Sequence, residues 1–321
     1  MEKMSIMNQN KLQCGIVILN YNDYETTSYL LEMIQNYHCL KHIAVVDNHS
    51  TDGSYEKLQK YQNEKIKIIR AAENGGYSKG NNIGIRYLLK HTKDDIICIA
   101  NSDVEFDETF VERILWQFEK RPSYAVITGL QVTPQGEIAA HPFWEEYTAA
   151  GWIYAKLAEL RIYAGSVKHK KTVSYAADKL SSGRKFFRTG TVEGSLFFIR
   201  KDDFVKAGLF DEGVWIYCEE DILSKKLSRA GRKTGVDASV KYIHYGAKTT
   251  DKVFGSMTKI NHVFRSSVYY FNHYLSDKPL LQGFHLVLCC MIWLKDTGNR
   301  YFRKSKREYG YIKKGLSGNV E

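Results

Sequence analysis

Proline is scarce in this chain, with four in 321 residues. Together with the lack of any low-complexity tract, that argues against long disordered linkers. No internal repeat is visible. The six cysteines (Cys14, Cys39, Cys98, Cys218, Cys289, Cys290) are scattered, without a C-x-x-C pair or zinc spacing. They read as reduced core thiols rather than as a disulfide or metal framework. The N-terminal stretch MEKMSIMNQNKLQ lacks the apolar core of a signal peptide. Long hydrophobic runs are also missing. The longest, Leu280 to Leu294, is interrupted by Gln282, Gly283 and His285, and it falls short of the ~20 residues a membrane-spanning helix needs.

What is present fits a soluble globular protein of one large domain or two ordinary ones: 44% hydrophobic and 26% charged residues. The net charge of +10 points to an anionic partner. No nucleic-acid motif accompanies it.

Apolar, β-branched runs at 15–20, 42–47, 66–70 and 96–100 read as buried strands. Between them, helical spacing recurs at Leu30, Ile34 and Tyr37, over Ser54 to Tyr61 with Asp52 as cap, at Ile83, Tyr87 and Leu88, and at Phe110, Ile114 and Phe118. Strands alternating with helices predict an α/β fold with a mostly parallel sheet flanked by helices. Tyr124 to Val132 and Val192 to Arg200 read as further strands, separated by an irregular, basic region over 140–190. A helix is expected from the acids Glu219, Glu220 and Asp221 to Ala230, then a last strand over Lys233 to Tyr245, then an aromatic, basic, helical extension.

Two of these strands end in carboxylates, Asp47 in VVDNHSTDGS and Asp103 in NSDVE. Ligands of open α/β sheets bind at that edge. The segment ENGGYSKGNNIG (Glu73 to Gly84) does not have dinucleotide G-x-G-x-x-G spacing. Its glycines let backbone approach a ligand, and the amides opening the next helix favour anions. Asp103 suits a divalent cation, and one of the acids 219–221 can deprotonate a hydroxyl.

The order of these motifs is more specific than any one of them. ILNYN (Ile18 to Asn22), VVDNHSTDGS, ENGGYSKGNNIGI, NSDVE, GSLFFIRK (Gly194 to Lys201), LFDE (Leu209 to Glu212), YCEED (Tyr217 to Asp221) and IHYG (Ile243 to Gly246) together resemble glycosyltransferase family 2. These are inverting enzymes of the A-type fold, and the resemblance is to the branch that builds bacterial capsule, O-antigen and cell-wall polysaccharides. It covers residues 14 to about 247. It implies an A-type domain over 1–250, with a nucleotide-sugar half (1–125) and an acceptor half (126–250), and a helical extension over 251–321.

The resemblance also implies roles. Asn20, Tyr21, Asp47, Asn48, Asn74, Gly76, Gly80, Asn81, Asn101 and Ser102 match the donor-nucleotide side, with Asp47 toward a pyrimidine. Asp103 matches the last acid of a metal-binding Asp-x-Asp, whose first place holds Asn101 here, and His244 can complete the coordination of Mn²⁺ or Mg²⁺. Gly194, Ser195 and Trp215 match the acceptor side. Glu220 falls at the place of the catalytic base, with Asp221 next and Glu219 as an orienting acid. The implied activity is transfer of a sugar from a UDP- or dTDP-activated donor to a hydroxyl of a lipid-linked oligosaccharide. The implied location is the cytoplasmic membrane face. Independently of the resemblance, the apolar stretch Leu280 to Leu294 and the basic residues behind it (Lys295, Arg300, Arg303, Lys304, Lys306, Arg307, Lys313 and Lys314) are expected to form a peripheral anchor on an anionic membrane surface. A sugar-1-phosphate nucleotidyltransferase is the rival enzyme, disfavoured by NYNDYETTS after the first strand. A non-catalytic nucleotide-sugar or carbohydrate-binding module is the rival from another class.

Overall fold

The computed structural model describes residues 12–160, 175–246 and 256–317. They fall into two compact units, 12–146 with 175–246, and 147–160 with 256–317. The segment 147–160 thus belongs to the same unit as the C-terminal helices.

The first unit contains β1 (Cys14–Asn20), α1 (Tyr24–Ile34), β2 (Leu40–Asp47), α2 (Ser54–Leu58), β3 (Ile66–Arg70), α3 (Gly76–His91), β4 (Ile96–Ala100), β5 (Val104–Glu105), α4 (Glu108–Lys120), β6 (Tyr124–Val132) and β7 (Phe143–Trp144). The second unit begins with α5 (Ala149–Glu159). The chain returns to the first through β8 (Phe186–Thr189), β9 (Thr191–Val192), β10 (Leu196–Arg200), α6 (Lys201–Lys206), α7 (Glu219–Arg229) and β11 (Lys233–His244). α8 (Ser256–Tyr270) and α9 (Pro279–Ser317) complete the second unit.

The main sheet runs β3-β2-β1-β4-β10-β6-β11-β5, with β8 also paired to β11. β1 to β4 pair in parallel. β10 is antiparallel to both β4 and β6, so β6 and its parallel partner β11 point the same way as β4. The carboxyl ends of β1, β2, β4, β6 and β11 and the start of β10 therefore share one edge.

The apolar runs are continuous because both faces of the sheet are covered. Ile16, Ile18, Val45 and Cys98 pack on one side, with α1 and α4. Val17, Ala44, Val46, Ile97 and Ile99 pack on the other, with α3 and α7. Side chains alternate faces along a strand, so a run with no polar gap signals burial on both. Truncating Ile16, which has no exposed surface, to alanine is expected to cost about 2–5 kcal/mol.

Local details depart from the sequence reading. The strand expected over Val192–Arg200 is two pieces, β9 and β10, and the break sets Glu193, Gly194 and Ser195 at the sheet edge. α1 ends at Ile34, which leaves Tyr37 outside it. The N-cap position of α2 is Gly53, and Asp52 instead accepts from the Ser54 amide at 2.9 Å. Cys14, Cys39 and Cys98 are buried free thiols, and burial pushes Cys39 up to about 12.

Within the second unit, Trp152 donates to His285 Nε2 at 3.1 Å. Burial, with the Lys156 charge, lowers His285 to about 4. Leu280, Phe284, Val287, Met291 and Leu294 of α9 are exposed, by 90%, 47%, 57%, 43% and 62%. Their four-three-four-three spacing puts them on one helix face. Among the described residues, no helix is long and apolar enough to cross a membrane.

Candidate active site

The site is assembled from loops at the shared strand edge. Asn20 and Asp47 are register partners at the ends of β1 and β2. Asn20 donates to Asp47 Oδ2 at 2.8 Å, and Ser50 N donates to Asp47 Oδ1 at 2.9 Å. Thr27 holds the Asn20 amide oxygen at 2.8 Å. Asp47 is completely buried, with both oxygens engaged. These bonds let it organise the loop after β2.

Asn48 continues the arrangement. Its amide nitrogen donates to Asn74 Oδ1 at 2.9 Å and to Gly76 O at 3.1 Å, tying the β2 loop to the glycine-rich segment. Gly76 has φ +80 and packs so closely on Trp215 that a Cβ would collide with its backbone and ring. Only glycine meets both demands. Trp215 Nε1 reaches Asn74 O at 3.4 Å. Tyr21 is half-buried just past β1. Gly80 and Asn81 turn inward: a Cβ at Gly80 would meet Leu19, and Asn81 is fully buried with its amide donating to Tyr77 O. Gly80 lets α3 pack closely on β1, and the buried Oδ1 of Asn81 has no hydrogen-bond partner among the described residues.

The other half of the site faces these loops. Asn101 N donates to Ser195 O at 2.8 Å, joining the β4 loop to the start of β10. Ser102 and Asp103 are buried there. Asp103 Oδ1 lies 3.2 Å from His244 Nε2, and Gln131 Nε2 lies 2.7 Å from His244 Nδ1. Burial alone would lower His244. The Asp103 hydrogen bond and the charges of Glu193 and Asp103 outweigh it, and the net shift is upward.

The acids of 219–221 open α7 behind two left-handed residues, Tyr217 (φ 72) and Cys218 (φ 66). Non-glycine residues in this region cost about 1–3 kcal/mol each, so the entry to α7 is held under strain. The three acids differ. Asp221 is buried and accepts from Trp144 Nε1 at 2.8 Å. Glu219 is buried, and its Oε2 has no hydrogen-bond partner among the described residues. Desolvation, reinforced by the Asp221 and Glu193 charges, raises it to about 7. Glu220 is only half-buried and accepts from Gly194 N at 3.1 Å. Desolvation and the adjacent Glu219 charge push it well above the carboxylate range. Ser195 shares a hydrogen bond with Tyr242 at 2.9 Å.

Three residues absent from the sequence reading belong here. Trp144 fixes Asp221. Glu193 accepts from Ser195 N at 3.2 Å and stands 3.7 Å from His244. Gln131 contacts the same imidazole. A polar residue inside a strand as apolar as β6 was the available signal for the last of them.

The family model for glycosyl transferase family 2 matches residues 15–187. The low-salt glycan biosynthesis hexosyltransferase Agl10 of Haloferax volcanii is 26% identical over 72% of this chain, and the match spans 66% of that relative's length. An N-acetylglucosaminyl-diphospho-decaprenol L-rhamnosyltransferase of Mycobacterium tuberculosis is 24% identical over 65% of this chain and 68% of its own. Among solved structures, GalNAc-T7 with UDP, GalNAc and Mn²⁺ superimposes with a TM-score of 0.56 at 16% identity, covering 87% of this chain and 55% of its own. At that identity the likeness speaks for the fold, which is the A-type one. The family match takes in more than half of the chain, including the loops after β1, β2, β3 and β4, and on that ground the protein belongs to glycosyltransferase family 2.

Proposed function

We propose that this protein transfers a sugar, with inversion, from a UDP- or dTDP-activated donor to a hydroxyl of a lipid-linked oligosaccharide in bacterial surface polysaccharide synthesis. The observation that carries the reading is the convergence at one sheet edge of the β2 loop, the glycine-rich segment, the Asp103–His244 pair and the acids opening α7. Glu220 is the base. Of the three adjacent acids it alone is not buried, and an elevated pKa suits a group that must take a proton. It removes the acceptor hydroxyl proton, the oxygen attacks the anomeric carbon in line, and the bond to the diphosphate breaks.

The residues present fit a divalent cation. Oδ1 of Asp103 and Nε2 of His244, 3.2 Å apart, have about the separation of neighbouring donors around an octahedral ion with bonds near 2.1 Å. No group of three His, Cys, Asp or Glu side chains is placed to hold a metal among the described residues, so diphosphate oxygens and water would fill the remaining positions. Bound there, Mn²⁺ or Mg²⁺ would supply charge neutralisation for the departing diphosphate.

The exposed apolar face of α9 supports association with an anionic membrane at its cytoplasmic side, where a lipid-linked acceptor lies. The basic side chains from Arg300 onward that the sequence reading enlists are outside the described side chains.

A screen of nucleotide sugars, scored by release of nucleoside diphosphate with and without lipid-linked acceptors, tests the proposal. Binding of a nucleotide sugar with no hydrolysis and no transfer to any acceptor would favour the non-catalytic module instead.

A further inference from the structure

Gln131 is out of place by the logic of its strand. β6 reads YAVITGLQV, buried along all but its first residue, and Gln131 is only 7% exposed. A buried amide is costly unless its polar atoms are used. Its Nε2 lies 2.7 Å from His244 Nδ1. The next acceptor near Nδ1, Glu193 Oε2, is at 3.7 Å, too far for a hydrogen bond. The partner of Nδ1 is therefore the Gln131 amide.

As placed, Gln131 N–H donates to Nδ1, so the neutral ring carries its proton on Nε2, toward Asp103 Oδ1 at 3.2 Å. That tautomer has no lone pair at Nε2. To hold a cation there, the ring must move its proton to Nδ1, where it needs an acceptor. Turning the amide end for end presents Oε1 to Nδ1. Glutamine serves both states from one position. A carboxylate serves only the second, and an apolar side chain serves neither.

We propose that Gln131 is a positioning residue that sets the tautomer of His244, donating to Nδ1 without a cation and accepting from it when Nε2 takes one. The inference rests on the Asp103–His244 cation reading and adds the residue that makes His244 able to switch.

The test measures Mn²⁺ affinity of the full chain in the presence of UDP, together with the His244 tautomer of the metal-free protein from ¹⁵N chemical shifts, assigned with His244→Gln. Gln131→Met is expected to weaken Mn²⁺ binding by roughly 10–100-fold, the usual effect of losing the outer partner of a ligating histidine. Gln131→Glu is expected to keep the affinity and to move the metal-free ring from the Nε2–H to the Nδ1–H form. Mn²⁺ affinity within twofold of wild type in Gln131→Met overturns the proposal, as does an unchanged tautomer in Gln131→Glu. If Gln131→Met does not fold, the Gln131→Glu tautomer decides alone. Asp103→Ala separates the two levels. If it leaves Mn²⁺ affinity intact, the cation reading fails. If it abolishes binding while Gln131→Met does not weaken it, only the role of Gln131 fails.

Discussion

The Glu220 carboxylate is anchored on the Gly194 amide, Oε1 to N at 3.1 Å, and a Cβ on Gly194 would run into that same carboxylate. The start of β10 and the helix carrying the acids are thereby joined by one contact, and a larger residue at 194 would displace the Glu220 side chain from it.

Glu220→Gln is expected to keep the amide anchor and donor affinity while lowering transfer by on the order of 10²-fold or more. The base works only when ionised, and desolvation raises its pKa. Transfer by the wild type should therefore climb as pH rises beyond the ordinary carboxylate range. Initial rates at saturating donor from pH 5 to 9 would show it. A crippled Asp221→Asn beside a nearly normal Glu220→Gln would assign the base to Asp221.

Glu219 is raised from 4.5 to about 7, so the folded state holds its proton where the unfolded chain releases it. The sign follows: this carboxyl costs nothing below pH 4.5, and stability is lost as pH rises from there toward 7. Glu219→Gln should stabilise the protein by on the order of 1–3 kcal/mol at pH 8 and hardly at all at pH 4. Thermal melts at the two pH values check this, and equal shifts at both would contradict it.

Asp103→Ala is expected to remove most donor binding and turnover. EDTA should lower the activity of the wild type, with recovery on adding Mn²⁺ or Mg²⁺. Full turnover in EDTA would mean that protein side chains alone offset the diphosphate charge.

Val287→Glu with Leu294→Glu places charge on the exposed stripe of α9. These substitutions spare Leu288 and Ile292, which are buried in the same unit. Binding to phosphatidylglycerol-containing vesicles should fall at least tenfold and should weaken with salt in the wild type. If vesicles are ignored at low salt, while sedimentation shows a dimer that the double variant dissolves, the stripe pairs two copies of the chain instead.

The parallel half of the sheet was readable because each of its strands is a short apolar run closed by turn residues. Asp47, Asp103, His244 and the acids 219–221 stood out because each ends a strand or opens a helix, where a polar residue interrupts a pattern. Gln131, Trp144 and Glu193 did not. Gln131 touches His244 across 113 residues of chain and Trp144 touches Asp221 across 77. Glu193 joined the site only because the strand expected to run through it is broken. For Asp47 the place at a strand end was legible, whereas its complete burial depends on Asn20 and Ser50, which bond its two oxygens from 27 and 3 residues away.

Neither ladder of β2 stops at the strand ends: Asn48 N continues the one with β1 onto Asn20 O at 2.8 Å, and Ala71 N continues the one with β3 onto Asp47 O at 2.8 Å. The floor under the β1 and β2 loops is thus an outgrowth of the core. Its amides can exchange with solvent deuterium only when the central sheet opens, so Asn48 and Ala71 should rank with the most slowly exchanging positions of the molecule. A destabilising change as remote as Ile16→Ala would then reach the β1 and β2 loops as lost protection before any residue in the site had been altered.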